Sequence, residues 1–146
     1  MERMLDVAEV RRRLVHTIEN VRQEAAVRRQ AADRAAADYG PFLENVATPV
    51  FRHFAMALRA EGHLFKLFTP AGSVRLASER SADDFLELTL DTTRQSVDVI
   101  GRVSHRRGSR LNTEERPIRE GAAVADLTEE DVLRFLLASI TPFVER

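Results

Sequence analysis

Residues 63–103, HLFKLFTPAGSVRLASERSADDFLELTLDTTRQSVDVIGRV, decide the fold. Up to Gly62 the apolar residues recur every three or four positions, the period of a helix. From His63 they recur every second position, the period of a strand. Leu86, Leu88 and Leu90 fall on one face of such a strand, and Glu87 and Thr89 on the other. Val97, Val99 and Val103 repeat the pattern, with Asp98 and Arg102 outward. Leu64–Phe68 and Ser73–Ala77 are shorter runs joined by Thr69-Pro70-Ala71-Gly72, where Pro presets a turn and Gly supplies positive φ. Gly101, inside a strand, predicts a bulge or a close approach to the backbone. Arg107-Gly108 predicts another turn, a weaker strand follows over Arg110–Glu114, and Pro117–Gly121 reads as loop. Connections this short place successive strands side by side and antiparallel.

Upstream, from about Arg3 to Asp38, there is neither Gly nor Pro, and Ala, Arg, Glu and Gln dominate. All four are good helix formers. Val7, Val10, Leu14, Ile18, Val21, Ala25, Ala32 and Ala35 form one stripe at spacings of three, four or seven. Arg11 and Arg28 flank or interrupt it, so it is not a strict heptad. Tyr39-Gly40-Pro41 predicts the end of this helix. A second helix follows, broken by Pro49. Leu43, Val46, Val50, Phe54, Ala57 and Leu58 are its apolar positions, and Thr48-Pro49 reads as an N-cap followed by Pro at the first helical position. Gly62 is its expected C-terminal stop.

At the other end, Thr128 with Asp131 three residues on reads as a capping box. Val132, Leu133, Leu136, Leu137 and Ile140 supply an apolar face, and Pro142 ends the helix. The expected fold is therefore α+β: a long N-terminal helix, a Pro-broken second helix, a four- to five-stranded antiparallel meander, and a C-terminal helix. Residues 1–39 are the expected dimerisation element and 40–146 the globular domain. A first helix of roughly 36 residues would be a rod of about 54 Å, longer than the rest of the chain is wide. Its stripe then needs a partner. A second copy is the expected one, since symmetric homo-oligomers dominate soluble assemblies. The alternative is a bend near residues 20–23 that folds the helix back on its own chain.

Composition narrows the function. The chain has 146 residues, 22 basic and 23 acidic groups and no Cys, which excludes a disulfide scaffold, thiolate catalysis and Cys-based metal sites. Arg outnumbers Lys 21 to 1, Lys66 being the single lysine; with the Ala-rich helix this suggests a GC-rich bacterial source. The N-terminus has no apolar leader, and no apolar run approaches a membrane span, so a cytoplasmic location is expected.

No catalytic signature stands out, and no catalytic residue, cofactor or metal is expected. His16, His53, His63 and His105 show no ligand spacing, although His53 and His63 could meet near Glu61. Asp83-Asp84 and Glu114-Glu115 read as solvated pairs at turns. Neither a nucleophile elbow nor a phosphate loop occurs. Arg102, His105, Arg106, Arg107 and Arg110 form the one concentrated cationic feature, suited to an anion or an acidic partner surface. The acidic start of the last helix, Glu129, Glu130 and Asp131, is a candidate counterpart on another subunit; residues 126–146 hold 2 basic and 5 acidic groups. Nucleic acid is the less favoured partner, because no aromatic residues interleave with these arginines. A plain charged turn that keeps a sheet edge soluble accounts for them as well.

In topology the order helix, helix, meander, helix resembles adaptor domains of the RWD type, which follow a coiled-coil segment. That resemblance implies an interaction module and carries no residue over. Helices against a curved antiparallel sheet also resemble the nuclear transport factor two-like superfamily. This implies a small-ligand pocket, lined here by Phe51, Phe54, Phe65, Phe68 and His53. The long first helix and the terminal helix depart from that pattern. The expected function is thus a non-enzymatic homodimeric adaptor, with a ligand pocket or a nucleic-acid accessory role as alternatives.

Overall fold

The structure, a computed structural model, describes residues 4–93 and 96–145. Helix α1 (Val7–Phe42) leads through a widened π turn (Leu43–Ala47) into α2 (Thr48–Ala60). Strands β1 (Phe65–Phe68), β2 (Ser73–Ser78), β3 (Phe85–Asp91), β4 (Asp98–Arg107) and β5 (Arg110–Pro117) follow. A 3-10 turn (Val124–Asp126), α3 (Glu129–Ser139) and a short α4 (Thr141–Val144) complete the chain. The five strands pair antiparallel in chain order, β1-β2-β3-β4-β5. This is the expected α+β fold.

Three helix boundaries differ from expectation. Residue 3, where the sequence starts the first helix, lies outside the described residues, and α1 begins at Val7, where the Asp6 carboxylate accepts the Glu9 N–H at 2.8 Å. At the other end, Gly40-Pro41 does not stop it. The Leu43 N–H bonds back to the carbonyls of Gly40 and Tyr39, and the helix passes straight into the π turn. Thr48 is itself helical, at φ −62° and ψ −46°, with its N–H on the Leu43 carbonyl, so it does not cap a new helix. A proline at 49 has no N–H to give and crowds the carbonyl one turn back. The widened turn immediately before it absorbs that conflict. Burial of Phe42, Ala47, Phe51 and Leu58 in one core outweighs the two prolines. The fold-back near residues 20–23 is absent, since α1 is continuous there. Gly62 does end α2. At φ +87° its N–H bonds the Arg59 carbonyl, and the His63 N–H bonds the Leu58 carbonyl at 2.8 Å, a Schellman closure.

The helices cover one face of the sheet. Val74, Leu76, Leu86, Leu88, Val99 and Val103 meet Phe42, Phe51, Val132, Phe135 and Leu136 in a single core. Phe143 docks there too, edge-on to Phe65 at 5.8 Å and to His105 at 6.0 Å. No bulge forms at Gly101, which pairs with Leu88 on one side and Arg116 on the other. It is instead a point of close approach: a Cβ at this residue would lie 2.2 Å from Cε1 of Phe135.

On the opposite face the register sets Arg75, Glu87, Arg102 and Glu115 in one row across four strands, with alternating sign. Arg75 reaches Glu87 at 2.7 Å, and Arg102 reaches Glu115 at 3.2 Å. Arg75 also lies 3.9 Å over the Phe85 ring. Asp98, expected outward, is buried on this face and accepts the Ser96 hydroxyl at 2.7 Å. Asp84, expected to be solvated, is buried as well and accepts the Arg106 N–H at 2.8 Å.

The expected capping box closes the N-terminus of α3. Asp131 receives the Thr128 N–H at 2.9 Å and returns its own N–H to the Thr128 hydroxyl at 3.3 Å. Burial pushes the Asp131 carboxyl up, but the hydrogen bonds from Thr128 and the nearby Arg119 guanidinium outweigh it and hold the group below its ordinary value.

Tyr39 fastens α1 to the sheet. Its hydroxyl donates to the Gly72 carbonyl, in the β1–β2 turn, at 2.7 Å. Burial, and then the Glu87 carboxylate, push this phenol up to about 12.

Two outcomes are expected. Gly101→Ala should cost about 1–3 kcal/mol in denaturant unfolding by overpacking, and Phe135→Leu should relieve part of that cost in the double variant. Additive losses would contradict the contact. Tyr39 is the single tyrosine and there is no Trp, so tyrosinate absorbance reads it directly. Its midpoint in the folded chain should lie near 12. The stability it confers should be full below the unfolded value near 10 and be lost as pH rises through the folded one. A folded-state midpoint near 10 would contradict the buried clasp.

Candidate functional site

The largest unpartnered feature is the N-terminal part of α1. Along this helix the positions 7, 11, 14, 18, 21, 25, 28, 32, 35, 39 and 42 follow an unbroken alternation of four and three, a heptad register. Its last members, Ala35, Tyr39 and Phe42, are buried in the core of the domain, Tyr39 to 7% exposure and Phe42 to 5%. The same stripe continues into solvent toward the N-terminus. Val7 is 83% exposed, Leu14 55% and Val21 56%. Val10 and Ile18 are exposed too, while Ala25 and Ala32 are half-buried. Arg11 and Arg28 occupy two stripe positions. Short-range pairs support the arm as a helix: Glu9 binds both Arg12 and Arg13, the latter at 3.0 Å.

The β4–β5 hairpin carries the five-residue cationic group, and the pleat divides it. Arg102 and Arg106 point away from the helices, whereas His105, Arg107 and Arg110 share the helix-side face. Arg102 is paired with Glu115, and Arg106 reaches Asp83 at 2.8 Å. His105 packs against Phe143. Arg107 and Arg110 stand directly opposite each other at the exposed tip, on either side of Gly108 at φ +64°. The tip is thus a two-arginine feature, and alternation within a strand is the signal that separates it from the other two arginines. Of the acidic counterpart, Glu129 and Glu130 are exposed, but Asp131 is buried in its capping box with Arg119 at 3.4 Å.

The residues of the pocket reading are scattered. Phe51 is fully buried and Phe68 exposed. His53 and Phe54 line an open groove of about 460 Å³ between α2 and α3, beside Glu129, Glu130 and Leu133. Phe65 belongs to a different cleft of about 180 Å³, with His63, Glu79 and Asp84. His53 and His63 therefore do not meet. Among the described residues no group of three or more His, Cys, Asp or Glu is placed to hold a metal ion. Among the same residues no helix is long and apolar enough to cross a membrane.

Comparison with protein-family models, with curated proteins and with solved structures finds no match.

With Arg102 and Arg106 paired, little cationic charge is left for a phosphate backbone. Fluorescence anisotropy with a labelled duplex and a labelled single strand should show no binding that falls as salt rises. A steep loss of binding with salt would restore the hairpin as a nucleic-acid contact.

Proposed function

We propose that this chain is a homodimeric interaction module. Residues 1–39 join two copies, and residues 40–146 present the α+β domain to a further protein partner. The observation that carries the reading is the heptad stripe of α1, buried at Ala35, Tyr39 and Phe42 and open to solvent from Val7 to Val21. An isolated apolar stripe on a free helix gains little stability from propensity alone. Covering it with another helix removes the apolar side chains from water. The β4–β5 tip, with Arg107 and Arg110, extends from the domain as a compact cationic contact for an acidic protein surface. The balance of 22 basic and 23 acidic groups fits a protein-binding role better than a nucleic-acid one. Under this reading the module works in a bacterial cytoplasm, in keeping with its composition and the lack of cysteine.

The test is mass in solution. Sedimentation equilibrium at micromolar concentration should give twice the 16.5 kDa of one chain. Ile18→Asp should give the single-chain mass with an unchanged circular dichroism signature of the domain. A wild-type chain that stays at the single-chain mass up to high micromolar concentration would refute the proposal.

A further inference from the structure

We infer that the two arms run antiparallel, with the domains held at opposite ends of the pair. This rests on the dimer reading above and adds its geometry.

The first argument is excluded volume. Ala35, Tyr39 and Phe42 continue the stripe and are buried under the chain's own domain, so the domain lies on the stripe side of α1. In a parallel, in-register pair the two stripes face one another along their whole length. The two domains would then compete for the same space on the shared axis. An antiparallel pair that overlaps only over Val7–Ala25, roughly 28 Å, leaves each domain beyond the end of the other arm.

The second argument is charge. In a parallel pair Arg11 and Arg28 each face their own copy, two like-charged layers inside an apolar seam. Setting Val7 against Ala25 of the partner subunit removes both. Leu14 then meets Ile18 of the partner subunit, and Arg11 meets Val21 of the partner subunit, where its aliphatic stem can pack while the guanidinium stays in water. Arg28 falls outside the overlapping layers.

The test uses the absence of cysteine, which makes any introduced thiol unique. Ala37 is exposed on the side of α1 away from the stripe. Ala37→Cys, spin-labelled and measured by double electron–electron resonance, should give about 60 Å between labels, against about 20 Å for a parallel pair. Val15 lies on the flank of the stripe, at the midpoint of the antiparallel overlap. Val15→Cys should therefore be joined between copies by a short bis-maleimide. A short distance in a chain of dimer mass would overturn the orientation and leave the dimer standing. A single-chain mass would overturn both.

Discussion

One helical stripe serves two surfaces, and the rest of the molecule follows from where it changes from one to the other. The seam through Ala35, Tyr39 and Phe42 is core. The same seam, continued toward Val7, is surface. No break in α1 marks the change, because the helix is set by local propensity and the burial by what lies opposite. The domain buries α1 only from Ala35 to Phe42, so the apolar face from Val7 to Val21 is left without a neighbour in its own chain. The Tyr39 hydroxyl on the Gly72 carbonyl is a fixed point within that grip.

The sheet is tuned to the helices by absence as much as by presence. Phe135 lies against the backbone of Gly101 because no side chain stands there. The adjoining positions on that face, Leu88, Val99 and Val103, carry ordinary core residues. On the opposite face cross-strand ion pairs stand beside the buried Ile100 and Ala77. Arg75, Glu87, Arg102 and Glu115 alternate in sign along one row, and opposed charges on neighbouring strands are favourable. The arginines that looked like a binding cluster are partly members of that row. Removing them from the list of free charges reduces the hairpin to its tip.

The fold was largely legible in the sequence. The switch from a period of three and a half to a period of two at His63, the Thr69–Gly72 turn and the Arg107-Gly108 turn specify the meander. Gly101 announced a close approach, though not which ring would make it. Helix ends were less legible. Gly40-Pro41 and Pro49 carry strong local stop signals, and tertiary burial of Phe42, Ala47 and Phe51 overrode them through a π turn that no short motif encodes. The polar sites were read worst. Asp84 and Asp98 are charged residues in or beside turns, where solvation is the usual outcome, yet each is buried and accepts a specific donor. Such donors come from residues up to 22 positions away in the chain, as with Arg106 on Asp84. Only the assembled sheet brings that pair together, whereas the Ser96 donor to Asp98 is local. The candidate surface on α1 was visible in outline, but the part the domain already covers could be known only from the folded chain.

The clasp at Tyr39 also gives the molecule a mechanical character. The helix projects roughly 36 Å beyond the last residues that grip it, counting from Ala31 to Val7. A tilt of about 10° at that root moves the tip by about 6 Å. A force applied sideways at Val7 therefore reaches the domain as torque on the Ala35–Phe42 contact and on the turn that carries Gly72. The arm is rooted against the Val124–Asp126 turn as well as the turn that carries Gly72, so these two connections are where strain from the arm enters the fold.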